Sequence, residues 1–241
     1  MTICDCILPQ IAKQLVKDLM TGPALVFDLD GTLVDTAPDL LNALNAVLVQ
    51  HGRRTVDRKD LRHLVGHGAR AMLAEAMRMT GEPAEPARLE ALIDDFIAHY
   101  RLHIADESRP FPGVTETLAA LRDSGARLAV LTNKPQALTD LLMPALDLAR
   151  YFSATHGAGK LEVVKPDARV FHHVLEEMGG AGNGAVMIGD SPTDVATARA
   201  AGVPVIVLSY GYTPVPADKL GADRVTDDFT DIPRLVKELL R

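Results

Sequence analysis

Short uninterrupted apolar runs alternate along this chain with segments whose apolar residues recur at helical spacing. The runs at 24–27, 127–131, 185–188 and 203–208 are bounded by turn residues, as expected of strands buried on both faces of a parallel sheet. A further short edge strand is expected near Arg224-Val225. Between the runs, Val114/Leu118/Leu121, a segment reaching about Leu146, Val170/Val174/Leu175, an alanine-rich tract stopping at Gly202 and a last segment from Asp231 carry helical patterns. Strands alternating with helices predict βαβ units, right-handed crossovers and an α/β fold.

One region breaks the alternation. From about Pro38 to about Ala105 there are only helical patterns: Leu40, Leu41, Leu44, Val47 and Leu48, then 61–65, 72–79 and 89–103, interrupted by Gly52, Gly66, Gly68, Gly81, Pro83 and Pro86. The expectation is an all-helical unit, 38–105, inserted into a core made of 21–37 and 106–241. Residues 1–20 stand apart. Ile11, Leu15, Val16 and Leu19 predict a short amphipathic helix in an N-terminal extension, and Met20 reads as an alternative start.

Polar residues collect just past the strands. Asp28 and Asp30 follow the first run, with Gly31 and Thr32 behind them. Thr132-Asn133 follows the second, Lys165 precedes a helix, and Asp190 and Asp194 follow the run at 185–188. On a parallel sheet these ends share one edge, where side chains face a crevice. Two acids one residue apart repel when both are ionised, which a cation or a held proton relieves. The pooled inventory suits a magnesium ion and a phosphoryl group: hard oxygens for the metal, donors for phosphate oxygens and an ammonium for developing charge.

Composition narrows the partners. The 241 residues carry a net charge of −7, no Trp and 4% aromatics. Such a surface repels a phosphate backbone and offers few stacking platforms, so nucleic acid is excluded as the expected partner. A small phosphorylated metabolite remains compatible, because a local cluster overrides the global field. No apolar run approaches the ~20 residues of a membrane span, and the N-terminus lacks the pattern of a secretory signal. Cys4 and Cys6 are the only cysteines. With no second pair they read as free thiols, and the expected compartment is the cytoplasm.

Asp28-x-Asp30-Gly31-Thr32, Thr132, Lys165-Pro166 and Gly189-Asp190-x-x-x-Asp194, in this order, resemble the four motifs of the haloacid dehalogenase superfamily. The likeness is to its magnesium-dependent phosphatases with a helical cap, and it covers nearly everything from Ala24 onward. It implies a Rossmann-like parallel sheet with an inserted cap. It also implies roles at the matched positions: Asp28 as nucleophile forming an aspartyl-phosphate, and Asp30 as general acid and then base. Asp28, the Asp30 carbonyl and Asp190 would hold Mg2+, with Asp194 ligating it or orienting a bound water. Thr132, the Asn133 N–H and the N–H groups of Leu29 and Gly31 would hold phosphate oxygens, and Lys165 would neutralise charge. The dehalogenases and phosphonate hydrolases of the superfamily lack an acid at the Asp30 position, so its presence here implies phosphomonoester hydrolysis.

Substrate choice should lie in the helical unit. Val65-Gly66-His67-Gly68-Ala69-Arg70 exposes N–H groups at a helix start, where His67 or Arg70 would read a carboxylate. This stretch resembles phosphoglycolate phosphatases, as do Ala37-Pro38-Asp39-Leu40, Pro112-Gly113-Val114, 132–135 and Tyr210-Gly211-Tyr212. His67 and Thr213 stand where those proteins more often carry Asn. The implied reaction is 2-phosphoglycolate to glycolate and phosphate, by a monomer or homodimer. The alternatives are a phosphatase for another small ester or pyrophosphate, and an isomerase like β-phosphoglucomutase.

Overall fold

The computed structural model describes residues 22–64 and 68–241; the helix expected within 1–20 lies outside them. Strand β1 (Ala24–Phe27) forms because four consecutive apolar residues have both faces to bury, and all four are fully buried. It is flanked by β4 (Arg127–Pro135) and β6 (Ala185–Gly189), each parallel to it. β5 (Ala154–Ala158), β7 (Val205–Leu208) and β8 (Arg224–Thr226) extend the sheet to the order β5-β4-β1-β6-β7-β8. The chain winds outward from β1 through β4 to β5, then returns to β6 and winds the other way. β1 therefore lies where the winding reverses, and a crevice opens past its carboxyl end.

Alternate residues of each strand feed different cores. Leu25, Phe27, Leu128, Val130, Val186 and Ile188 pack beneath α4 (Val114–Asp123) and α8 (Ile232–Leu239). Ala24, Val26, Ala129, Leu131 and Met187 pack beneath α6 (Ala168–Glu177) and α7 (Pro192–Ala201). Phe27 anchors the first face, its ring 6.0 Å from Phe229 and 6.1 Å from Phe152. Removing that ring costs about 3–5 kcal/mol by the usual cavity penalty.

A third core belongs to α1 (Ala37–Gln50), α2 (Gly68–Thr80) and α3 (Pro86–Leu102), built from residues such as Leu44, Leu48, Leu73, Met77, Leu92 and Phe96. Leu138 of α5 (Gln136–Ala145) joins this core, tying it to the sheet. A two-residue antiparallel pair, β2 (Val34–Asp35) with β3 (Arg109–Pro110), draws the two connections to these helices together. Buried Asp39 at the start of α1 accepts from the Glu107 and Ser108 N–H groups and the Ser108 hydroxyl, at 2.6–3.1 Å.

Two features were not expected from the pattern. β5, Ala-Thr-His-Gly-Ala, has no apolar run because it is an edge strand. β2 and β3 are too short for any periodicity to show. No helix among the described residues is long and apolar enough to cross a membrane.

Candidate active site

β1 delivers Asp28 at its end, and the chain then turns tightly. The N–H groups of Leu33 and Val34 return to the Leu29 carbonyl, and the Gly31 N–H donates to the Val34 carbonyl at 2.9 Å. Gly31 takes φ +85°, and a Cβ there would stand 2.6 Å from Asp190 Oδ2. Gly211 is closer still: its Cβ would meet that side chain at 2.2 Å. Only glycine lets these two turns close over Asp190.

Asp190 leaves β6 beside Asp28. Its Oδ1 accepts from the Thr32 hydroxyl at 2.9 Å and its Oδ2 from the Tyr212 N–H at 2.9 Å. Asp194, one helical turn along, is fully buried. Its Oδ2 accepts from the Asp190 N–H, the Ser191 N–H and the Ser191 hydroxyl, so it closes the capping box of α7. Its Oδ1 accepts from Lys165 Nζ at 2.6 Å.

Lys165 is itself held from behind. Asn133 accepts from the Lys165 N–H and donates to the Lys165 carbonyl, both at 3.0 Å. The peptide bond to Pro166 is cis. Nζ stands 2.9 Å from Asp28 Oδ1, which also accepts from the Leu29 N–H at 2.7 Å. Oδ2 of Asp28 accepts no hydrogen bond among the described residues.

The electrostatics follow from burial and count. Burial pushes the Asp28 carboxyl up to about 7; Lys165 draws it down and Asp194 pushes it up again. Burial, with Asp194 and Asp28 nearby, raises Asp190 well above the carboxylate range. Burial opposes the charge of Lys165, but Asp194 and Asp28 outweigh it and hold the ammonium above the ordinary lysine range. Oxygens of Asp28, Asp190 and Asp194 lie within 4.8 Å of one another. With all three acids ionised, three carboxylates against one ammonium (three minus one) carry an excess of two negative charges. A hard divalent cation fits this donor set in both charge and ligand type. Asp28 and Lys165 are both shifted upward: the lysine keeps its proton, and the crowded acids are relieved either by protons or by a cation.

Asp30 points the other way. Its Oδ1 accepts from Lys134 Nζ at 3.0 Å, and the same ammonium donates to the Tyr100 hydroxyl of α3 at 2.8 Å. Burial opposes the Lys134 charge, yet Asp30 and Tyr100 hold it above the usual range. Burial pushes the Tyr100 phenol up to about 12 despite the neighbouring lysine. Lys134 and Tyr100 were not among the expected site residues. A strand-end lysine gave the one available signal; nothing in the order of residues brings Tyr100 to it.

Asp28, Asp30, Thr132, Asn133, Lys165 and Asp190 line one cavity of about 320 Å3. Its opposite wall is largely apolar, with Leu40, Leu64, Met72 and Phe96. Thr132 Oγ1 accepts from the Lys134 N–H at 3.1 Å and keeps its own hydrogen to donate. Arg70 is not among the lining residues; it is exposed and paired with Glu90 of α3. His67 lies outside the described residues. The Gly31 N–H, expected on phosphate, is engaged by Val34, so that contact requires it to be shared.

The sequence model for haloacid dehalogenase-like hydrolases matches residues 25–208. A phosphoglycolate phosphatase of Caulobacter vibrioides is 45% identical over 221 residues, covering 92% of this chain and 93% of that protein. One from Agrobacterium fabrum is 43% identical over 220 residues, covering 91% and 94%. In three dimensions the chain is similar to a crystal structure described as a predicted phosphoglycolate phosphatase from Haemophilus somnus, with a TM-score of 0.83, 29% identity and 90% and 98% of the two chains covered. With a parallel sheet that gathers four ordered motifs into one cavity, and a matching model over most of its length, this chain belongs to the haloacid dehalogenase-like hydrolases and is a phosphatase of that family.

Proposed function

We propose that this phosphatase hydrolyses a small phosphomonoester, 2-phosphoglycolate, through an aspartyl-phosphate on Asp28. The observation that carries the reading is the pairing of two differently held acids: Asp28 against Lys165 and Asp30 against Lys134. Asp28 Oδ2 is the nucleophile. Lys165, fixed by Asn133 and Asp194, keeps that carboxylate ionised and offsets charge on the phosphoryl oxygens. The Thr132 hydroxyl donates to one of those oxygens. Asp30, held near the Tyr100 side of the cavity, protonates the leaving alkoxide and then takes a proton from water.

Mg2+ would be held by Asp28, Asp190 and the Asp30 carbonyl, and when bound it supplies Lewis-acid stabilisation of the phosphoryl group. Asp194 spends both oxygens on Lys165 and the α7 cap, which favours a positioning role, with any metal contact through water. The helices at 37–102 act as a cap. Their apolar wall excludes water from the phosphorylated aspartate, and Asp39 and the β2–β3 pair fix the two connections from which the cap would pivot. The 2-phosphoglycolate reading rests on the 45% and 43% identical relatives, with His67 and the α2 start as the carboxylate reader. Cytoplasmic action as a monomer or homodimer completes the proposal.

The test is phosphate release with Mg2+ from 2-phosphoglycolate, sugar phosphates, nucleotides and pyrophosphate. A kcat/KM lead of about a hundredfold for 2-phosphoglycolate, roughly 2.7 kcal/mol of transition-state discrimination, sustains the assignment. A lead for another ester moves the substrate and leaves the mechanism. Activation by a sugar bisphosphate, with no net phosphate release, points to the isomerase instead.

A further inference from the structure

A second group of potential metal ligands lies away from the cavity. His156 on edge strand β5 is 2% exposed, and neither ring nitrogen meets a hydrogen-bond partner among the described residues. An imidazole buried without a partner forfeits hydration worth about 1–3 kcal/mol. Facing it from α6 are His173 and Glu177, four residues apart and so on one side of the helix. The His156 and His173 rings are 5.4 Å apart at 71°. One nitrogen from each histidine and a Glu177 oxygen lie within 4.8 Å of one another, and His173 Nε2 is already 3.5 Å from Glu177 Oε1.

Two imidazoles and a carboxylate are the donors of a borderline divalent ion, distinct from the all-oxygen set at Asp28 and Asp190. Tetrahedral coordination with bonds of about 2.0–2.1 Å spaces donor atoms about 3.3 Å apart, so closure requires movements on the order of an ångström. His156 is ready for the role: burial, with Lys160 adding to it, lowers its pKa and keeps the ring neutral. His173 and Glu177 are partly exposed and give an ion its way in. Among the described residues the opposing group is Lys160, whose Nζ stands 2.7 Å from Glu177 Oε1.

We propose that His156, His173 and Glu177 form a structural site for a borderline divalent cation of the Zn2+ type, stapling edge strand β5 to helix α6. Such a staple braces the strand and helix that flank the Lys165 segment. It lies toward the far end of α6, whose length from Ala168 to Glu177 is about 14 Å.

The test uses the full chain with Cys4→Ser and Cys6→Ser, removing thiolates, and saturating Mg2+, occupying the carboxylate cluster. Calorimetric titration with Zn2+ is expected to show one site per chain, and Zn2+ to raise the unfolding temperature. His173→Ala and Glu177→Gln should each weaken binding about tenfold or more and abolish the thermal shift. Lys160→Met should strengthen binding by freeing Glu177. Crystals soaked in Zn2+ should show an anomalous peak between the three side chains. Unaltered Mg2+-dependent turnover of His173→Ala would establish that it folds. Zinc binding equal in the parent and both ligand variants, or no anomalous peak at this position, overturns the proposal.

Discussion

The floor and the roof of the cavity are built on opposite plans. The floor is a closed polar network: Asp190, Asp194, Lys165 and Asn133 each make two or more hydrogen bonds near strand ends that the parallel sheet fixes. The roof is helical and apolar, and its polar contacts are concentrated at the edges, in Asp39 at the connection and Arg70–Glu90 on the surface. A floor of this kind preorganises chemistry, because charge must be stabilised without reorganisation. A roof of this kind offers an apolar shape in place of fixed charges. Lys134 is a buried polar link between the two, touching Asp30 below and Tyr100 above.

The sharpest way to break this contrast is at the nucleophile. Asp28→Asn should lower kcat by about ten-thousandfold or more while the fold survives, read by steady-state turnover and circular dichroism. Comparable residual activity would remove Asp28 from the mechanism.

Next comes the network itself. Lys165→Met strands Asp28 and Asp194 in a buried site, and urea unfolding of the metal-free protein should show a loss of about 3–5 kcal/mol. An equal loss for a change of similar size in the roof's polar contacts would erase the distinction between the two regions.

Protons and cations should compete for the floor. The Asp28 carboxyl is raised to about 7 in the folded protein, so the folded state binds more protons than the unfolded one between the ordinary carboxylate range and 7. Its contribution to stability is therefore full below that window and is lost as pH rises through it. Mg2+ should reverse the loss. Apparent Mg2+ affinity should rise by about tenfold per pH unit up to 7 for one displaced proton, measured by calorimetry. Affinity flat with pH would place the cation elsewhere.

Tyr100→Phe tests the link between floor and roof. It removes one of the partners of a buried ammonium and should destabilise by about 1–3 kcal/mol, with kcat/KM falling more than for other roof changes because Lys134, the partner of Asp30, loses its second anchor. The smallest effect belongs to Arg70→Ala: its exposed pair with Glu90 is worth about 0–1 kcal/mol. A large rise in KM there would show that Arg70 itself reads the substrate, which its exposed pair with Glu90 argues against.

Much of the floor was legible in the chain because strand ends are readable. A four-residue apolar run followed by Asp28-x-Asp30-Gly31, or by Gly189-Asp190, announces both the strand and the acid at its exit, and a parallel sheet forces such exits onto one edge. Helices α1, α2 and α3 were legible for the same reason, through periodicity and breakers. Edge strand β5 was hidden, since a strand with one neighbour requires no apolar run.

By itself the sequence determined the α/β alternation, the helical run between β2 and β3 and which acids, threonine and lysine share one cavity. Only the tertiary structure decided the partners: that Asp194 faces Lys165, that Lys134 joins Asp30 to Tyr100 across 34 residues, that Arg70 turns to Glu90, and that His156 meets His173 and Glu177. Local pattern specifies an element because periodicity and burial are short-range properties of the chain. Which buried charges meet is set by how separate elements pack, and that is decided only when the sheet and the helical layer close on each other.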